Sequence, residues 1–238
     1  MSIETRPGKN RAQPLVALRA IRDLIDDPED TAQVFTIVRA LGGSSIERGF
    51  RRFVRLPLGQ KIIDREIDLL DTLQNREALR AMPAGSLGRA YLRFVEAEHL
   101  SADGLVEASE AEQPGWANPA LERYGKRLRD QHDLWHTLTG YGRDELGELC
   151  LLAFTYAQTR NRGIGFIVLV GSFKLREIFG RGVFRAVRRG HRDGRRAAWL
   201  PGQDWEALLA RPLDDVRRQL GIEEPVPYRA LLAEYSAA

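Results

Sequence analysis

The stretch that decides the fold reads Gln131-His132-Asp133-Leu134-Trp135-His136, breaks at Thr139-Gly140-Tyr141-Gly142, and resumes with Leu146-Gly147-Glu148. His132 and His136 lie four residues apart, so on a helix both project from one face about a turn apart. That spacing lets two imidazoles chelate one ion. Asp133, three residues before His136, can lean toward the same face. Glu148 follows His136 by twelve residues, roughly 18 Å along one straight helix and too far for a shared ion. Gly140 and Gly142 interrupt that helix, however, and a return helix brings Glu148 back to the level of the histidines. The expectation is an antiparallel helix pair that carries His132, Asp133, His136 and Glu148 together. Two neutral nitrogens and two carboxylates suit Zn²⁺, Fe²⁺, Mn²⁺ or Co²⁺. The plainer reading of these residues is an exposed polar helix, or a buried histidine bonded to a carboxylate.

Outward from this stretch, apolar residues keep recurring at three and four, and strand alternation is nearly absent. Leu15, Leu18, Ile21, Leu24 and Ile25 predict a first amphipathic helix ending before Pro28. A second opens at Asp30, turns Val34, Phe35, Val38 and Leu41 inward, and stops at Gly42-Gly43. Ser44 or Ser45 caps a third, and after Leu56-Pro57-Leu58-Gly59 a fourth carries Ile62, Ile63, Ile67, Leu70 and Leu73. Ser86 caps a helix holding Leu87, Tyr91, Leu92, Phe94 and Val95. Residues 101–119 are acidic, small and interrupted by Pro and Gly, which reads as a long surface loop or lid. Helices resume at Pro119, again from about Arg143 to Gln158, and near the end behind Asp204 and Pro212. The expected fold is all-α, a single-domain helical bundle over residues 1–238 with the metal site on its antiparallel pair.

Composition narrows the function. The chain has 238 residues, 43% of them hydrophobic and 29% charged, which is globular rather than disordered. A net charge of only +3 argues against nucleic acid as a partner. The single cysteine, Cys150, excludes a disulfide framework and reads as core. Only four of the basic residues are lysines, an arginine bias expected of a high-GC bacterial genome. Met1 to Asn10 is polar and resembles neither a secretory nor a transit segment. No uncharged run exceeds eleven residues, the length of Gly163 to Phe173, short of the roughly 20 that a membrane-spanning helix needs. A cytoplasmic bacterial protein, peripheral on the inner membrane face, is expected.

His-Asp-x-x-His, eleven residues, then Glu resembles the signature of the coenzyme Q (ubiquinone) biosynthesis Coq-four family. Three further blocks are similar to that family. They are Pro83-Ala84-Gly85-Ser86-Leu87-Gly88-Arg89-Ala90-Tyr91-Leu92-Arg93-Phe94, Leu146-Gly147-Glu148, and Trp205-Glu206 with the stretch from Leu213 to Ile222. The resemblance spans residues 79–222. It implies an all-α fold and a divalent metal held by His132, Asp133, His136 and Glu148, the same residues being catalytic. It also implies a lyase role in ubiquinone biosynthesis, decarboxylation at C1 of a polyprenyl-4-hydroxybenzoate-type intermediate with coupled oxidation of that carbon. The alternative it implies is a non-catalytic polyprenyl-lipid-binding scaffold that gathers the other ubiquinone-biosynthesis enzymes. Zinc has no redox activity, so oxidation would call for iron, manganese or cobalt. A metal phosphohydrolase is a weaker competitor, because only His99 and His191 remain to supply further imidazoles.

A polyprenyl tail needs an apolar groove. Leu149, Leu151, Leu152, Phe154 and Tyr156, facing Gly163 to Gly171, are candidates to line it, with Leu152, Tyr156, Phe166 and Val170 as its contacts. Ordinary buried helices would show the same pattern. From Lys174 to Arg196, nine basic residues stand against Glu177 and Asp193, interleaved with Phe179, Val183, Phe184 and Val187. Arg181, Arg185, Arg188 and Arg189 are therefore candidates to dock on an anionic membrane surface. A homodimer is among the expected assemblies.

Overall fold

In a computed structural model, which describes Val16, Arg19, Ala20 and residues 31–98 and 118–237, the chain is all-helical. The described residues contain no strand beyond an isolated bridge between Ser86 and Pro212. Among the described residues from 31 onward, fourteen α-helices follow one another: α1 (Thr31–Gly42), α2 (Ser45–Phe53), α3 (Pro57–Asp64), α4 (Leu69–Gln74), α5 (Arg76–Ala81), α6 (Leu87–Ala97), α7 (Pro119–Asp130), α8 (His132–Thr139), α9 (Glu145–Thr159), α10 (Arg162–Phe179), α11 (Gly182–Arg196), α12 (Trp205–Leu208), α13 (Leu213–Leu220) and α14 (Val226–Ser236). A short 3₁₀ turn, Leu200–Gly202, precedes α12. The first expected helix lies largely outside the described residues, as do the N-cap Asp30 and the loop from 101 to 117.

The expected fourth helix, carrying Ile62 to Leu73, is in fact two, α3 and α4, and a further short helix, α5, follows it. Glu66, at φ 54°, leaves the helical region and ends α3. Asp68 then accepts from Leu70 N at 2.9 Å to open α4, and Asn75 accepts from Ala78 N at 3.0 Å to open α5. The apolar periodicity survives the breaks because Ile62, Leu69, Leu73 and Leu79 all still reach the interior. Periodicity reports a common buried side; it does not report whether the backbone stays continuous. Ser44 occupies the N-cap of α2 without capping it: its hydroxyl is engaged by Arg48 instead. Ser86 caps α6 as expected, accepting from Arg89 N at 3.2 Å. The start of α6 is then stitched to a distant segment, Leu87 N to Arg211 O (2.9 Å) and Gly88 N to Leu209 O (2.8 Å).

The centre of the molecule is α9, which buries Leu146, Leu149, Cys150, Leu151, Ala153, Phe154 and Ala157 between α10 and α11. A helix apolar on nearly every side belongs in a core. Its approach to α11 is set by Gly190 and Gly194, where an added Cβ would sit 2.6 Å from Cys150 O and 2.5 Å from Phe154 O. The C-terminal α14, to which the sequence reading assigned no element, packs against α11 and α9. Its Tyr228 and Leu231 are buried in the main core.

Candidate metal centre

Helix α8 ends at Gly140, whose left-handed φ of 75° is open to glycine at little steric cost. Its N–H closes on His136 O at 2.8 Å. Four residues later Asp144 opens α9, its Oδ1 accepting from Gly147 N at 3.0 Å. The turn between is pinned from α14: Gly142 N donates to Tyr228 Oη at 3.0 Å, and that hydroxyl donates to Asp144 Oδ2. Gly147 permits this fold-back, because a Cβ there would lie 2.2 Å from Gly142 O. The turn therefore delivers Glu148 directly opposite α8.

The distances bear this out. His136 Nε2 lies 3.2 Å from Glu148 Oε1 and 3.2 Å from His132 Nε2, and His132 Nε2 is 3.6 Å from Glu148 Oε2. Ligand atoms of His132, Asp133 and His136 all lie within 4.8 Å of one another. His136 Nδ1 sits 3.0 Å from the carbonyl of Tyr141, which can only accept. A proton therefore belongs on Nδ1 in either charge state, and Nε2 faces the cluster, donating to Glu148 when the ring is charged and offering its lone pair when it is neutral. The ring of Phe94 stacks on His136, centroids 5.5 Å apart at 18°, and holds the imidazole in plane. Asp133 Oδ1 is buried with no hydrogen-bond partner. Such an orphaned oxygen costs about 1–3 kcal/mol unless something binds it.

Electrostatics follow from this geometry. Burial works to raise the Glu148 carboxyl, but the hydrogen bonds and charge of His132 and His136 outweigh it and hold Glu148 far below the usual carboxylate range. Burial works to lower His132, and the Glu148 bond and the Glu148 and Asp133 charges outweigh that, leaving His132 above its ordinary 6.5. The Tyr91 hydroxyl is pushed up by burial and then by the charges of Asp133 and Asp130. Asp130, raised to about 6 chiefly by burial, pairs with Arg129 at 2.7 Å.

His132, Asp133 and His136 thus form one cluster, and Glu148 stands against both histidines. Sequence reasoning missed what holds them: the Tyr141 carbonyl, Tyr228, the Phe94 ring and the bare Cα of Gly147. Phe94 and Gly147 stood inside quoted blocks; Tyr228 lay in a stretch that carried no motif.

Other candidates are redistributed by packing. Leu149, Leu151 and Phe154, expected along a lipid groove, are instead sealed into the main core against neighbouring helices. Leu152, Phe166 and Val170 pack in a separate cluster around Ala20, Ile37 and Ile167. Tyr156 lies against His191, ring centroids 5.7 Å apart. In the basic stretch Arg189 is committed to Asp193 at 2.6 Å and to Glu223, so it is not available for docking. Val183 and Val187 are buried, whereas Arg181, Arg185 and Arg188 are exposed. Beside them α10 exposes the apolar side chains of Leu169 (55%), Phe173 (55%) and Ile178 (45%), with Phe184 of α11 against Phe173.

A helical protein whose antiparallel pair gathers His132, Asp133 and His136, with Glu148 against both histidines, has donors that could hold a metal ion. The chain belongs to the family described as Coenzyme Q (ubiquinone) biosynthesis protein Coq4, whose model matches residues 9–226. Among curated relatives, the mitochondrial ubiquinone biosynthesis protein COQ4 of Yarrowia lipolytica is 26% identical over 82% of this chain and 75% of its own length. That of Clavispora lusitaniae is 29% identical over 88% and 65%, and that of Podospora anserina 31% over 74% and 56%. The chain thus spans about half to three quarters of these relatives. The crystal structure of a protein from Nostoc punctiforme, described as a ubiquinone biosynthesis protein, shares the fold at TM-score 0.64 and 20% identity, over 90% of this chain and all of its own. These relatives correct one expectation: the curated ones are mitochondrial proteins of eukaryotes, against the cytoplasmic bacterial setting read from the sequence. The arginine bias behind that reading reflects nucleotide composition, which does not determine compartment. Among the described residues no helix is long and apolar enough to cross a membrane.

Proposed function

We propose that this chain is a metal-dependent lyase of ubiquinone biosynthesis that removes the C1 carboxyl of a polyprenylated 4-hydroxybenzoate-type ring. The observation that carries the reading is the convergence of His132, His136 and Glu148 beside the orphaned Oδ1 of Asp133. Two neutral nitrogens and two carboxylates are the donor chemistry of a borderline divalent cation, so the residues present fit one. Such an ion supplies Lewis acidity, and as iron, manganese or cobalt it also supports oxidation of the same carbon with dioxygen as oxidant. The protein's part is orientation. His136 is held by its Nδ1 proton on Tyr141 O and by the Phe94 face, and Glu148 is kept ionised by the histidines. His136 is fully buried, which keeps water off the inner side of the centre, while His132 and Glu148 open to the substrate side.

The test is metal uptake and turnover by the whole chain. Stoichiometric uptake and release of labelled CO₂ from a carboxyl-labelled prenyl hydroxybenzoate are expected. Binding requires His132 to lose its proton, so apparent affinity should rise with pH and level off above the raised His132 value. Absence of uptake from zinc, iron, manganese and cobalt alike would overturn the reading.

The second reading, a non-catalytic scaffold for polyprenyl lipid and the other ubiquinone-biosynthesis enzymes, draws its support from the α10–α11 face. Exposed Leu169, Phe173 and Ile178 beside Arg181, Arg185 and Arg188 suit an anionic membrane surface that would also deliver the prenylated substrate. Flotation with vesicles containing phosphatidylglycerol should drop severalfold for Phe173→Glu with Arg185→Glu, at about 1 kcal/mol per lost cation. Equal recovery of wild type and variant would remove this support.

A further inference from the structure

The metal centre is asymmetric in burial. His136 is 0% exposed, whereas His132 (28%), Glu148 (32%) and Arg143 (35%) line its open side. Arg143 stands in the turn between α8 and α9, one residue before the Asp144 cap, with its Nε 3.7 Å from Glu148 Oε1. At that distance the contact is Coulombic rather than a hydrogen bond, so the guanidinium donors are not spent on Glu148. The adjacent carboxylate does not claim them either: Asp144 accepts from Gly147 N with one oxygen and from the Tyr228 hydroxyl with the other.

We propose that Arg143 is the positioning residue for a substrate carboxylate at this centre, an inference that rests on the metal-dependent reading above. Charge balance carries it. Two neutral imidazoles and the carboxylates of Asp133 and Glu148 neutralise a divalent ion, so Arg143 leaves the loaded site with one positive charge on its open side. Glu148, once committed to the ion, no longer holds Arg143 by its full charge. A ring carboxylate entering from solvent meets a planar fork that matches two oxygens side by side. The Phe94 ring, stacked on His136, supplies an aromatic face to the same cluster. Arg143 thereby selects anionic aromatic acids over neutral rings and aims the carboxylate at the metal.

The experiment titrates the zinc-loaded full chain with 4-hydroxybenzoate and, separately, with the neutral 4-hydroxybenzamide. Zinc content is measured first. Arg143→Met is expected to weaken the carboxylate about tenfold, the worth of a charge-assisted hydrogen bond, and to leave the amide within about twofold. Arg143→Lys, which keeps the charge but loses the fork, should recover part of the difference. A merely structural role would weaken both probes together or lower zinc content. Equal weakening of both probes, no weakening of either, or a wild type that binds neither would overturn the role of Arg143 and leave the metal reading standing. A wild type that takes up no zinc or other divalent metal would sink that reading, and this one with it.

Discussion

Glu148→Ala is expected to abolish stoichiometric metal uptake and, with it, turnover. Glu148 is the element of the cluster that touches both histidines, at 3.2 Å and 3.6 Å, and it alone comes from the return helix. Its removal leaves two imidazoles on one helical face and Asp133 beside them, a donor set that chance would supply on many helices. Loss of a residue that only supports a ligand typically costs 10–100-fold in metal affinity, so loss of the ligand itself should exceed about a hundredfold. The variant also changes the metal-free protein in a defined pH window. Glu148 is held low, so its contribution to stability is present above its ordinary value of 4.5 and lost as pH falls through the folded value. His132 is held high, so its contribution is present below 6.5 and lost as pH rises through the folded value. The mutual stabilisation is therefore greatest between these limits, and thermal melts of metal-free wild type and variant should differ most there. Full metal content in the variant would remove Glu148 from the site.

Trp205→Ala should cost about 3–5 kcal/mol, a large share of the 5–15 kcal/mol that holds a typical domain together. Trp205 is fully buried, and its indole Nε1 donates to Gln131 Oε1 at 2.8 Å. That oxygen also accepts from Trp135 Nε1 at 3.3 Å, while Gln131 Nε2 donates to Arg127 O at 3.0 Å. The buried amide thus joins α7, α8 and α12 immediately before His132. Alanine would leave a cavity and strip Gln131 of one donor, so the histidine helix should loosen along with the fold. Urea denaturation should show a much lower midpoint, with metal affinity reduced in parallel. Trp205→Phe separates the two effects: it keeps most of the volume and loses only the donor, at about 1–2 kcal/mol. An unchanged midpoint for Trp205→Ala would show that the site does not depend on this junction.

Much of the helical plan could be read along the chain. Ser86, Asn118, Asp144 and Asp204 cap helices through contacts to backbone N–H groups two or three residues away, and such contacts depend on local spacing alone. The fourth helix was misjudged because Glu66 adopts a left-handed conformation that its residue type does not announce. Leu149, Leu151 and Phe154 lie in the core rather than along a groove for a different reason. Leu149 and Leu169 are equally apolar, yet one is sealed in the core and the other stands in solvent. Which face of an all-apolar helix is covered depends on how many neighbours arrive, and periodicity contains no such count.

By itself the sequence determined the pairing of His132 with His136 and the break at Gly140 that turns Glu148 back toward them. These are consequences of a 3.6-residue repeat and a missing Cβ, both properties of adjacent residues. Only the tertiary structure decided which imidazole nitrogen faces the centre, through the Tyr141 carbonyl, and what pins the turn, through Tyr228. It also decided that Arg189 is spent on Asp193 and Glu223 while Arg143 stands at the mouth of the site. Partners such as Tyr228 and Glu223 arrive from segments far along the chain, and their meeting depends on the packing of every helix between.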